Sequence, residues 1–167
     1  MTNSNVYFCN MKTLILYAAL ITTNPSSFFL HSQQNPKFTH VDKDDFISSL
    51  LEDLSYDKLS AAKYKSTSMA AKGASVKVVT FLNGKNTFAF NKSAYNTFIK
   101  SFTILQPEKL THQLFYIGES KEKTLKRLGV SKSFDILEVT DLEGGAIVKF
   151  YFKDEKLQKV VYGSVID

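Results

Sequence analysis

Between Ala146 and Ile166 the chain reads AIVKFYFKDEKLQKVVYGSVI, two runs of alternating character joined by Asp154-Glu155-Lys156. Ala146, Val148, Phe150 and Phe152 fall on one side of an extended chain, and Lys149 and Lys153 fall on the other. A connection this short can only return the second run, Leu157 to Ile166, antiparallel to the first. Leu142-Glu143-Gly144-Gly145 makes the same demand of a strand over Phe134–Thr140. Three strands so joined form a meander whose apolar face needs a cover.

A second β-segment lies upstream. Val76 to Leu82 reads as a largely buried strand, Asn83-Gly84 is a strong hairpin signal, and Asn86 to Phe90 returns with Phe88 and Phe90 on one face. Covering helices are expected in three places before Gly118. Phe46, Ile47, Leu50, Leu51 and Leu54 have the spacing of one helical face over Asp42–Leu54, with Asp42 as N-cap and Asp44 and Asp45 suiting the positive end of the helix dipole. Ser55 to Lys72 predicts a weaker helix ended by Gly73. Tyr95, Phe98, Ile99 and Phe102 share a stripe over Ser93–Phe102, which predicts a short helix, with a third strand as the alternative there. Gln113–Ile117 reads as a short strand, and the polar stretch from Gln33 to Val41 as a linker. The fold class expected is α+β: an antiparallel meander with short helices packed on one face, preceded by an N-terminal helical segment. The expected organisation is a signal region over 1–32, a linker and helical segment over 33–72, and the α+β domain over 73–167.

The first 32 residues hold a single charge, Lys12, and the apolar run Leu14–Ile21, followed by Asn24-Pro25-Ser26-Ser27. This is the layout of a secretory signal peptide, and Met11 is the more natural start of it. The run is far short of the roughly 20 residues that span a bilayer, so no transmembrane helix is expected in the mature chain. The chain is therefore read as exported, periplasmic or extracellular. Cys9 precedes the apolar run and would be lost on cleavage, leaving no disulfide, thiolate nucleophile or cysteine metal site.

The formal charge of +5 is unevenly spread. Residues 42–57 carry six acids against Lys43, residues 58–132 carry fourteen bases against Glu108, Glu119 and Glu122, and residues 133–167 carry four lysines against seven acids. All the bases but Arg127 are lysines, which lack the planar fork that reads bases and phosphates. A nucleic-acid partner is disfavoured; a weak contact with an anionic surface is compatible with the pattern.

GESKEKTLKRLG, Gly118 to Gly129, is the stretch most like a phosphate loop. It lacks the GxxxxGK[ST] and GxGxxG patterns, and its second glycine closes a helix instead of opening one. The structural reading accounts for each part: Ser120 as N-cap, Leu125 and Leu128 facing inward, Gly129 at the left-handed C′ position, and Val130 packing on Leu125 in a Schellman ending. The stretch YIGESKEKTLKRLGV followed by strands ending AIVKFYFKDEKLQKVVYG resembles the small-lipoprotein A family of bacterial outer-membrane assembly, and more broadly the fold of the β-lactamase inhibitory protein. Gly118, Ser120, Leu128 and Gly129 occupy the matching places over residues 116–165. The resemblance implies a protein-binding module. The lipid-bearing cysteine of that family has no counterpart here, and about eighty additional residues precede the motif.

No GxSxG, HExxH, SxxK or paired-carboxylate pattern occurs, and the three histidines, His31, His40 and His112, have no ligand spacing. No catalytic residue, cofactor or metal site is expected. Phe81, Tyr151 and Tyr162 are the candidate contact aromatics, on the less apolar sheet face. The alternative is a small ligand-binding protein or small enzyme with a pocket between sheet and helix, using His112 and Tyr116. The partner expected first is another protein or an envelope component.

Overall fold

The computed structural model describes residues 38–70, 72–131 and 134–164. The signal region expected over 1–32, with Cys9, Met11 and His31, lies outside them. From the N-terminal side the elements are β1 (Phe38–Asp42), α1 (Asp44–Asp53), α2 (Tyr56–Ala61), β2 (Lys65–Met69), β3 (Lys77–Asn83), β4 (Asn86–Lys92) and β5 (Thr97–Ile104). A run of turns leads to α3 (Lys121–Arg127), then β6 (Ile136–Thr140), β7 (Ala146–Lys153) and β8 (Lys156–Ser164). All strands join one eight-stranded sheet in the order β1-β6-β7-β8-β5-β4-β3-β2.

The class is α+β, but the sheet is mixed where an antiparallel one was expected. β1 runs parallel to β6, with Phe38 opposite Ile136 and Asp42 opposite Thr140, and every other pairing is antiparallel. The difference arises in the stretch expected as a linker. The chain leaves β1 through α1 and β2–β5 before it returns to β6, so no tight turn fixes the direction of that pair. The two meanders, β2–β5 and β6–β8, meet through their last strands, with Phe102 opposite Tyr162.

The meander over β6–β8 forms as its alternation requires. Ala146, Val148, Phe150 and Phe152 are buried on one face, with Leu137, Val139, Leu157, Val160 and Tyr162 beside them. Val79, Phe81, Phe88, Phe90, Phe102 and Ile104 continue that face through the other meander. All three helices cover it: Ile47, Leu50 and Leu54 around α1, Leu59 of α2, and Leu125 and Leu128 around α3 join the same core. The ring of Phe46 lies 5.8 Å from Phe150, and Tyr56 stands edge-on to Phe81 at 5.2 Å. One sheet and one core therefore run across the boundary expected at Gly73, since β1, α1, α2 and β2 pack with the strands on its C-terminal side.

Several local expectations change for identifiable reasons. The helix expected to reach Lys72 stops at Ala61, and β2 comes next. Lys63 adopts a left-handed φ of 58° and closes α2, a position that favours glycine. Its side chain is exposed, so Lys63→Gly is expected to raise stability by about 0.5–1 kcal/mol in urea denaturation; a loss would mean that the lysine makes a contact of its own. The helix expected over Ser93–Phe102 is β5, the alternative reading. A bulge opposite Ala89/Phe90 puts Ile99 and Phe102 on the same face three residues apart, which imitates helical spacing. Gln113–Ile117 is not a strand: Leu114 and Phe115 both donate backbone N–H groups to the Thr111 carbonyl at 2.9 Å, and the turn drives Phe115 against Phe150. The N-cap of α1 is Lys43, not Asp42, which ends β1.

Candidate functional site

Because side chains alternate along each strand, the face opposite the helices is defined by register. Across it run Lys65, Leu82, Thr87, Thr103, Val161, Lys149, Glu138 and His40, with a neighbouring row of Thr67, Thr80, Ala89, Ser101, Gly163, Ile147 and Thr140. Ile136, Tyr151 and Lys159 form a third row. Leu82, Ile136, Ile147, Tyr151 and Val161 are half-buried, and none of the described helices packs on them. Small residues at the middle, Ala89, Ser101 and Gly163, leave this face low at its centre.

Of the three candidate contact aromatics, only Tyr151 lies here, with the Lys159 ammonium 5.2 Å from its ring centre. Phe81 and Tyr162 are on the helix-covered face and buried in the core, Tyr162 stacked on Phe102 at 5.2 Å. Residue type alone does not separate them from Tyr151: β8 begins at Lys156, so Tyr162 shares the parity of Val160, and Phe81 that of Val79. Burial raises the Tyr162 hydroxyl above its ordinary pKa.

The β1 edge of this face carries a charged border that the linker reading missed. His40 Nε2 lies 3.2 Å from both Thr140 Oγ1 and Asp42 Oδ1, the Thr140 hydroxyl donates to Asp42 at 2.7 Å, and Lys149 pairs with Glu138. The Thr140 hydrogen bond holds the Asp42 carboxyl below the usual carboxylate range. The only sequence signal is alternation over Thr39–Val41, too short to read.

His112 and Tyr116 do share a depression, of about 460 Å³, lined also by Pro107, Glu108 and Lys109. It is not the space between helix and sheet. That cleft, about 340 Å³, is lined by Leu51, Ser55, Tyr56, Phe90, Phe98 and Tyr162 among others. His112 Nδ1 is 2.6 Å from the Lys109 carbonyl, which occupies one ring nitrogen and leaves Nε2 as the polar atom available to a ligand.

Glu108 is only 2% exposed and faces no cation among the described residues. Its carboxyl accepts from the Tyr64 hydroxyl, from Asn83 Nδ2 at 3.0 Å and from Asn86 Nδ2 at 3.1 Å. Asn86, fully buried, accepts in turn from the backbone N–H groups of Leu105 and Gln106. The hairpin signal at Asn83-Gly84 thus does two jobs: Gly84 takes a φ of 59° in the turn, and the flanking asparagines tie the β3–β4 hairpin to the chain leaving β5. Burial first, then the Glu108 carboxyl, pushes the Tyr64 phenol well above its ordinary pKa. A group held protonated in the fold contributes stability that is complete below about pH 10 and lost as pH rises beyond it. Melting temperature is therefore expected to fall above that pH, and less steeply in Tyr64→Phe; equal slopes would remove Tyr64 from the account.

The stretch from Gly118 to Gly129 is consumed in structure. Ser120 Oγ accepts from the Lys123 N–H, Val130 N–H reaches the Leu125 carbonyl at 2.9 Å and Gly129 N–H the Lys126 carbonyl at 3.1 Å, the two bonds of a Schellman ending. Arg127 spends its fork on Glu119, with contacts of 3.1 and 3.2 Å, and reaches the Leu114 carbonyl at 2.9 Å. Beside the helix, a depression of about 430 Å³ is lined by Lys121, Glu122, Leu125, Lys126, Val130, Ser131 and Glu155. Lys121 is only 4% exposed; its ammonium lies 3.7 Å from Asp135 and 3.6 Å from Glu155. It is legible in principle, four residues before Leu125 on the inward stripe.

Among the described residues no group of three or more His, Cys, Asp or Glu is placed to hold a metal, and no helix is long and apolar enough to cross a membrane. The fold and these surfaces define an α+β protein with one helix-covered sheet face and one that none of the described helices covers. No family of known proteins, no curated protein and no solved structure matches this chain.

Proposed function

We propose that the chain is an exported, non-enzymatic module that binds another protein or an envelope component through the open face of its sheet. One observation carries this reading. Leu82, Ile136, Ile147, Tyr151 and Val161 stand on a face that none of the described helices covers, with Lys149 and Lys159 among them. Half-buried apolar groups interleaved with polar ones are the composition of a separable interface rather than of a core. Export is inferred from the signal-like N-terminus, and the resemblance of residues 116–165 to outer-membrane assembly lipoproteins supports an envelope role. The test is capture of envelope proteins by the full chain and by Tyr151→Ser/Val161→Lys. Loss of a captured protein without loss of melting temperature supports the reading, and unchanged capture refutes it.

The depression holding His112 and Tyr116 favours a second reading, a small-ligand site. Its volume suits a small molecule. A ligand screen by thermal shift, repeated on His112→Ala, separates the two: a hit abolished by that change favours the second.

A further inference from the structure

The connections β2–β3 and β4–β5 emerge at the same end of the sheet. Met69 pairs with Val78, Val78 with Asn91, and Asn91 with Phe98, so these four residues form a row across that end on the open face. At about 4.8 Å between strands, the row is roughly 14 Å wide. Met69 is 77% exposed, Phe98 52%, and Tyr95, at the tip of the β4–β5 turn, 100%. With Val76, four of the seven large hydrophobics exposed among the described residues gather here; the others are Leu105, Tyr116 and Leu142.

The strands that carry them bear charge of one sign, while the carboxylates at the same end of the sheet, Asp42, Asp44, Asp141 and Glu143, lie on the far side of β8, beside β1, β6 and β7. Residues 58–107, which include all of β2–β5, contain eight lysines and no acid. Lys72, Lys77 and Lys100 are exposed at or near this end, and Lys92 lies over the Tyr56 ring at 4.1 Å. The acids preceding the stretch, Asp53 and Asp57, belong to α1 and α2 on the covered face, where Asp53 pairs with Lys58. Met69, Val76 and Tyr95 protrude into solvent, and Phe98 also borders the cleft that holds Tyr56 and Phe90.

We propose that the β2–β5 part of this end docks on an anionic phospholipid surface. Tyr95, Phe98, Met69 and Val76 enter the headgroup region, where amphipathic rings are most stable, and Lys72, Lys77 and Lys100 meet the lipid phosphates. The geometry favours a bilayer over an acidic protein because projecting hairpin tips suit a deformable surface, whereas a folded partner would need a pocket for each of them. The proposal does not depend on what the centre of the sheet binds.

The experiment is co-sedimentation of the full chain with vesicles of phosphatidylcholine alone and of phosphatidylcholine mixed with phosphatidylglycerol, at low and high salt. Binding is expected only with the anionic lipid and should weaken as salt rises. Lys72→Gln/Lys100→Gln should reduce partitioning about 25-fold, about fivefold per lysine. Tyr95→Ser/Phe98→Ser should reduce it at least about tenfold. Tyr95→Ser alone, at a fully exposed position, should act in the same direction without changing the melting temperature. Binding indifferent to lipid charge, or retained by both double variants, would overturn the proposal and assign adhesion elsewhere in the chain, the apolar run at Leu14–Ile21 included. No binding to either vesicle would overturn it in favour of an acidic protein.

Discussion

Glu108→Ala is expected to lower the free energy of unfolding by about 3 kcal/mol, a fall of roughly 10 °C in melting temperature for a fold of this size. The carboxyl receives hydrogen bonds from Tyr64, Asn83 and Asn86, and these donors come from two separate parts of the chain, the segment after α2 and the β3–β4 hairpin. Alanine removes an acceptor from all three, leaving Asn86 Nδ2 only the Gln106 carbonyl at 3.2 Å, and Asn86 is fully buried, so water cannot substitute there at low cost. Glu108→Gln keeps the shape but turns an NH2 group toward one set of donors, with an expected loss of about 2 kcal/mol. Asn86→Ala should cost about as much as Glu108→Ala, and the double variant less than the sum, because the two share one network. Urea denaturation of the four chains measures this. A gain of stability in Glu108→Gln would show that the carboxyl is retained for a ligand in the adjoining depression and not for the fold.

Arg127→Ala is expected to cost about 2–3 kcal/mol. The Glu119 side chain is 5% exposed and would keep only Thr124 Oγ1 and the Tyr116 N–H as donors. Arg127 is itself partly exposed, which places the estimate toward the low end of the range for buried pairs. Arg127→Lys should recover less than half of the loss. One ammonium cannot reach both Glu119 oxygens and the Leu114 carbonyl as the guanidinium fork does. A swap of the two residues should fail to rescue, because arginine at 119 has no acceptor for Thr124 or Tyr116. Equal stability of Arg127→Lys and the wild type would reduce this contact to simple charge pairing.

Both nodes involve residues whose roles are out of reach of sequence periodicity. Ser120, Leu125, Leu128, Gly129 and Val130 are legible because caps and helical stripes are local. Glu119 and Arg127 lie just before and near the end of the same short helix, and their pairing depends on how the preceding turn folds back. His112 and Tyr116 do share a depression, but its walls come from the turns after β5, where Gln113–Ile117 reads as a strand from sequence, so its place in the fold is not legible. Tyr151 reaches the open face as expected; Phe81 and Tyr162 do not, because a strand with apolar residues on both faces does not reveal which face the helices will choose.

By itself, the order of residues determined the two tight hairpins, the buried stripe of β7, the capping of α3 and the charge imbalance along the chain. Each depends on neighbours a few residues apart, where backbone conformation and side-chain spacing are set by covalent connection. Only the tertiary structure decided the parallel pairing of β1 with β6, the strand identity of β2, the seat of Glu108 and the exposed end bearing Tyr95 and Phe98. β1 and β2 carry little apolar pattern of their own and exist because a neighbouring strand supplies hydrogen-bond partners. That partner is chosen by the closure of the whole sheet over its helices.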